Sequence, residues 1–358
     1  MSHTDLFRID SHKLIFHPHR VAQWLAGSNI YPVYMEISPV GCCNHRCTFC
    51  ALDFAGYKPR FLDKELIGLR LTELGSLGVK SVLYGGEGEP LLHPDIAGII
   101  QETCAAGIDT ALSTNGTLLT SALAEQILPS LKWIKVSVNA GTPATYSAIH
   151  RTLPEDFQQV LSNIASAAQF IKSSGLTCTL GVQAVLLPEN ASEMEQLAML
   201  VKEAGGEYLV IKPYSQHHKS LTRTYEKIDY SPLLHLSEKL DSFNDEDFRV
   251  IFRSNPINKM QNVERGYERC LALPFWSYID AGGNVWGCSA FLEDERFLYG
   301  NIYEEDFKRI WEGEKRSKSL EFVACELNSD CCRTNCRMDE INLYLWELTH
   351  PGGHVNFI

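Results

Sequence analysis

From about Tyr31 the chain alternates short apolar runs with stretches whose apolar residues recur every three or four positions, each pair closed by glycine or another turn former. That rhythm predicts successive strand–helix units. The first strand is Val33-Tyr34-Met35-Glu36-Ile37-Ser38. Asp63 is the N-cap of the following helix, with Leu66, Leu69, Leu74 and Leu77 on one face and Gly78 as its stop. Ser81 to Tyr84, Thr110 to Ser113, Trp133 to Val138, Thr177 to Leu186 and Tyr208 to Lys212 are five further strands. Helices are expected after Pro94, from Phe157 to Ser173 and from Glu193 to Ala204. Six such units curl into an open, partial (β/α)6 barrel of the TIM-like α/β class, short of the eight that close fully. From about Asn255 the pattern changes to short strands, turns and cysteines. The expected division is therefore an N-terminal extension (1–30), the barrel (31–254), a small C-terminal unit (255–340), and a helix with a tail (341–358).

Composition narrows the picture. A 358-residue chain that is 45% hydrophobic and 21% charged buries a substantial core. Its net charge of −12 and the lack of any basic run argue against a nucleic-acid partner. No apolar stretch approaches bilayer length, and the N-terminus, with Asp5, Arg8, Asp10, His12 and Lys13, has no signal-peptide core, so no membrane partner and a cytoplasmic location are expected. In that reducing setting twelve cysteines are expected to be metal ligands before disulfides. Cys104 and Cys178 stand alone and read as buried core residues.

Cys43, Cys47 and Cys50 form C-x3-C-x2-C on the loop leaving the first strand, at the end of the fold that carries chemistry. Three thiolates on so short a loop can hold three irons of a cubane cluster and leave the fourth open to an exogenous chelate. A zinc site completed by Cys42 or His45 is the alternative, but zinc ligands normally come as two separated pairs.

This triplet, with Phe49 just before its last cysteine, resembles the radical S-adenosylmethionine (radical SAM) superfamily. The resemblance implies a 4Fe–4S cluster that chelates S-adenosylmethionine and cleaves it to a 5′-deoxyadenosyl radical. It further implies cofactor contacts at successive strand ends. Gly85-Gly86-Glu87-Gly88-Glu89-Pro90 resembles the family's G-G-E-P segment; aligned on the proline, Gly88 and Glu89 are the equivalents, Gly86 is a further expected cofactor contact, and Glu87 is a rival for the cofactor's ammonium. Ser113 and Asn115, then Ser137 and Asn139, fall where ribose and carboxylate contacts are expected, and Arg151 suits the carboxylate.

Cys270, twelve residues, Gly283, four residues and Cys288 resemble the auxiliary-cluster domains called SPASM and twitch. The resemblance implies one auxiliary iron–sulfur cluster held by Cys270, Cys288, Cys336 and either Cys332 or Cys331, with Cys325 an outside candidate. Lys212, Tyr214, Gln216 and His217 follow the sixth strand and form the candidate substrate site. The expected activity is hydrogen abstraction from a small polyol, aminocyclitol or sugar-like molecule, giving oxidation or epimerisation. A peptide or protein maturase is the alternative. A flavodoxin or ferredoxin-type donor would supply the electron.

Overall fold

The structure, a computed structural model, describes residues 8, 11–261 and 265–357, with the side chains of Gln261 and Cys331 outside that description. The expected N-terminal extension (1–30) thus lies partly outside the described residues. One ten-stranded sheet organises the fold, in the order β10-β9-β8-β1-β2-β3-β4-β5-β6-β7. Its strands are β1 (Tyr34–Ile37), β2 (Ser81–Tyr84), β3 (Asp109–Thr114), β4 (Trp133–Ser137), β5 (Thr179–Leu186), β6 (Tyr208–Pro213), β7 (Arg249–Phe252), β8 (Trp276–Ile279), β9 (Asn284–Trp286) and β10 (Leu298–Asn301).

β1 to β7 pair in parallel and in chain order, so the six predicted units are all present in a partial barrel of the α/β class. A seventh strand, β7, extends them; its four residues Arg-Val-Ile-Phe offer too little alternation to be read from sequence. On the helix-facing side Ile134, Val136, Leu180, Val182, Leu209 and Ile211 join the main core. The alternate residues face the barrel lumen.

The helix Lys64–Ser76 starts where predicted, with the Asp63 carboxylate accepting from Leu66 N at 2.8 Å. Its buried stripe, however, is Ile67, Leu71 and Leu74, while Leu69 is 67% exposed. Counting leucines alone rotated the face by part of a turn. Cys104 is likewise exposed where a core position was expected, on a helix whose buried face is Ile96, Ile99, Ile100 and Thr103; Cys178 is buried as expected.

The change of pattern near Asn255 is not a break in the sheet. β8 lies parallel to β1, Tyr34 opposite Trp276 and Ile37 opposite Ile279, and then turns back as the antiparallel β9 and β10. Asp280 organises that hairpin: Oδ1 accepts from Gly282 N and Asn284 N, Oδ2 from Trp286 Nε1, and Gly283 takes φ +83.

Candidate active site

Four loops at the C-terminal ends of β1 to β4 converge on the cysteine triplet. The triplet loop itself is held by backbone bonds, Arg46 N to His150 O at 3.1 Å and Thr48 N to Ile149 O at 2.8 Å. Glu89 N donates to Cys42 O at 2.9 Å, and a Cβ on Gly88 would collide with the backbone oxygens of Val40 and Cys42. Asn115 Nδ2 donates to Asn44 Oδ1 at 2.7 Å. Gly86 sits at φ +109, packed so closely on Tyr278 and Ser38 that no side chain fits there.

The rival carboxylates have separate partners. Glu89, fully buried, accepts from Leu91 N (3.0 Å) and Thr114 Oγ1 (2.5 Å) on one oxygen and from Asn115 N (2.7 Å) on the other. Burial raises its pKa and those three donors oppose the rise. A carboxylate has about four acceptor positions, so Glu89 keeps one for a further donor. Glu87 instead joins the two halves of the protein, accepting from Ala281 N at 3.0 Å and pairing with Arg60 at 3.3 Å. Ser113 and Ser137 occupy lumen positions of β3 and β4. Arg151 caps the helix Pro143–His150 at φ +51 with its side chain exposed.

Behind the triplet lies a hydrogen-bond chain that the sequence did not single out. Asn139 Oδ1 accepts from Val185 N at 2.6 Å, which turns its Nδ2 toward His150 Nε2 at 3.2 Å. His150 Nε2 therefore accepts, the ring proton resides on Nδ1, and Nδ1–H points at Cys47 Sγ, 3.3 Å away. Burial lowers the His150 pKa to about 3, so the ring is neutral, and Tyr146 stacks on it at 4.2 Å. His45 also brings a nitrogen within 4.8 Å of the Cys47 and His150 donor atoms.

The thiols test whether a cluster fits. Burial pushes Cys43 up to about 11 and Cys47 well above its ordinary value, with repulsion among neighbouring thiolates adding to both. Three thiolates crowded there are unfavourable alone and favourable around multivalent iron. The second group behaves alike: Cys270, Cys288 and Cys336 pack on one apolar cluster, and Cys288 is raised first by burial and then by Cys336, with Cys270 and Cys332 adding to the rise. Cys325 is exposed at the end of its helix, and the Cys331 side chain lies outside the described residues. Asn342 Nδ2 donates to Cys270 Sγ at 3.7 Å while its Oδ1 accepts from Leu271 N and Ala272 N.

The loop after β6 spans both groups, and most of its polar atoms are engaged within the protein. Tyr214 hydroxyl donates to Gln216 Oε1 at 3.1 Å, and Gln216 Nε2 donates to the carbonyls of His217 and Thr222. His217 is fully buried, stacked on Phe54, and bound through Nε2 to Ser289 O beside Cys288. Of these side chains His217 reaches the C-terminal unit, through Ser289 O; Lys212 alternates with the core residues Leu209 and Ile211, projects to the lumen side, and makes no ion pair or hydrogen bond among the described residues.

A partial barrel with a cysteine triplet above β1 and a second cysteine group beside it offers two sites rich in thiol donors. Residues 37–201 match the Radical SAM superfamily model and residues 270–337 the SPASM iron–sulfur cluster-binding domain. The chain belongs to the radical SAM superfamily, with a SPASM auxiliary-cluster domain, and its cofactors are a 4Fe–4S cluster, S-adenosylmethionine and an auxiliary iron–sulfur cluster. It is similar to the GTP 3′,8-cyclase of Chlorobaculum tepidum, 32% identical over 36% of this chain but only 38% of the cyclase. The AdoMet-dependent heme synthase of Methanosarcina barkeri is 24% identical over 70% of this chain and 73% of the synthase. Among solved structures, Streptococcus suis SuiB bound to precursor peptide SuiA superposes with a TM-score of 0.66 at 19% identity, covering 94% of this chain and 78% of SuiB. That likeness is one of fold. No helix among the described residues is long and apolar enough to cross a membrane.

Proposed function

We propose that the chain abstracts hydrogen from a small polar metabolite, a polyol, aminocyclitol or sugar-like molecule, seated in the lumen between the two cysteine groups. Cys43, Cys47 and Cys50 would hold the first cluster; Cys270, Cys288, Cys332 and Cys336 the auxiliary one. When bound, the first cluster and S-adenosylmethionine supply a 5′-deoxyadenosyl radical, and the auxiliary cluster an electron relay. Phe49, Gly86, Gly88, Glu89, Ser113, Asn115, Ser137, Asn139 and Arg151 would surround the cofactor. In that role the spare acceptor position of Glu89 suits an ammonium, and His150 donates to Cys47 sulfur. Loss of hydrogen from a substrate carbon, followed by loss of an electron and a proton, gives oxidation; return of the hydrogen gives epimerisation.

The observation that supports this reading is Arg333, of the Cys332–Cys336 segment, which donates to Ser215 O at 2.7 Å and so ties the second cysteine group to the loop leaving β6. The test is oxygen-free reconstitution with iron and sulfide, then dithionite or a flavodoxin or ferredoxin-type donor and S-adenosylmethionine. Release of 5′-deoxyadenosine supports the reading, and deuterium transfer from labelled sugars or cyclitols identifies the substrate class. A maturase acting on a peptide is the second reading, favoured by the peptide-bound SuiB fold; deuterium arriving only from a peptide would select it.

A further inference from the structure

The lumen also carries cations that hydrogen abstraction does not require. Ile134 and Val136 of β4, Leu209 and Ile211 of β6 and Val250 of β7 belong to the core outside the barrel, so Lys135, Lys212 and Arg253 project to the inside. The depth of the space is set by Tyr208, whose ring lies over Gly181, the register partner of Lys135. Its upper level is set by Val185, the register partner of Lys212, which packs in one cluster with Phe49, Ile149 and Tyr214. Lys212 is therefore level with the cysteine triplet.

Arg333, half-buried, donates to Ser215 O at 2.7 Å, three residues beyond Lys212, and lies close enough to repel Lys212. Neither lysine ammonium makes an ion pair or a hydrogen bond among the described residues; Lys135 Nζ lies 5.4 Å from the Trp133 ring centroid. Glu36, the lumen-facing carboxylate of β1, is already paired with Arg337 and accepts from the Tyr34 hydroxyl at 2.9 Å. Like charges held together away from bulk water are costly unless a ligand brings the opposite charge.

We infer that the lumen binds the anionic end of the substrate, a multiply charged phosphoryl or carboxylate group, on Lys135, Lys212 and Arg333. This rests on the proposed function for the substrate's position, and it narrows a polar metabolite to a charged one. Burial, then repulsion by Lys135, Arg253 and Arg333, lowers Lys212 from 10.5 to about 7; burial, then Arg253, lowers Lys135 to about 8. An anion favours the ammonium forms, so binding takes up protons and weakens as pH rises above about 7.

The test titrates the reconstituted wild-type holoprotein with sulfate, a tetrahedral dianion standing for phosphoryl, and with malonate, standing for carboxylate, by calorimetry and intrinsic tryptophan fluorescence. Binding of either anion is expected to weaken roughly tenfold in K212M and in K135M, to recover in K212R, and to stay unchanged in K80M at the exposed surface. Tighter sulfate assigns phosphoryl and tighter malonate assigns carboxylate. Circular dichroism and cluster absorbance establish that each variant is folded. Equal affinity of K212M and wild type, affinity that does not fall between about pH 6.5 and 9, or preference for uncharged myo-inositol over both anions overturns the inference. Release of 5′-deoxyadenosine, measured on the same wild-type preparation, separately decides the radical reading; its absence would leave the titration's answer intact.

Discussion

The first cysteine group takes Cys43, Cys47 and Cys50 from one short loop, while the second draws Cys270 from the chain before β8, Cys288 from the end of the hairpin, and Cys332 and Cys336 from the segment before the helix Asp339–Thr349. Three thiols leave a corner for a chelating ligand; four close the coordination. Geometry follows number. The triplet is fixed by a few backbone bonds to one helix end, whereas the quartet exists only when β8, β9 and the helix Asp339–Thr349 are packed together. Under the proposed ligand assignment an open reactive centre would be built locally, and a closed one as part of folding.

Removing one sulfur from each group tests that contrast most severely. Cys47→Ala is expected to abolish 5′-deoxyadenosine formation and to leave the auxiliary cluster's iron in place, as read by iron analysis and electron paramagnetic resonance. Cys288→Ala is expected to retain cofactor cleavage but to lower the unfolding midpoint by roughly 3–4 °C, the shift that about 2–3 kcal/mol produces in a chain of this size. Equal loss of cleavage in both variants would erase the distinction.

Finer substitutions sharpen it. Cys332→Ala should lose the auxiliary cluster and Cys325→Ala should keep it, because Cys325 is exposed and Cys332 lies among the other three sulfurs. Iron content per chain is the measurement. The smallest effect is expected from His150→Phe, which deletes the N–H aimed at Cys47. A donor to sulfur stabilises the more negative, reduced cluster, so its loss should lower the potential. One bond of about 1 kcal/mol corresponds to roughly 40 mV, and an anaerobic redox titration reads it. An unchanged potential would show that the imidazole only packs.

The parts legible in the sequence were those whose signal is local. The glycine stop at Gly78, the Asp63 cap, the alternation of β4 and β5, and the compact triplet all depend on residues within one turn or one strand. Leu69 and Cys104 were misread because a helix face is chosen by the partner surface as well as by spacing. The auxiliary quartet was legible only through resemblance, since a hairpin has to fold before Cys288 meets Cys336. Lys135 carried a usable signal, a lysine in the middle of a buried strand, that only the pairing of β4 with β5 explains. Arg333 and the Asn139–His150 chain carried none, because their partners lie on other elements.

The pairing of β1 with β8 reaches beyond architecture. β1 leads directly into the triplet loop and is hydrogen-bonded on both flanks, by β2 and by a strand encoded some two hundred residues later. A barrel expressed without β8 would present β1 as a raw edge, open to strand addition by any neighbouring copy. Splitting this protein into separately produced halves would therefore call for a substitute strand, and aggregation of the bare N-terminal half would report the missing neighbour before any assay of chemistry could.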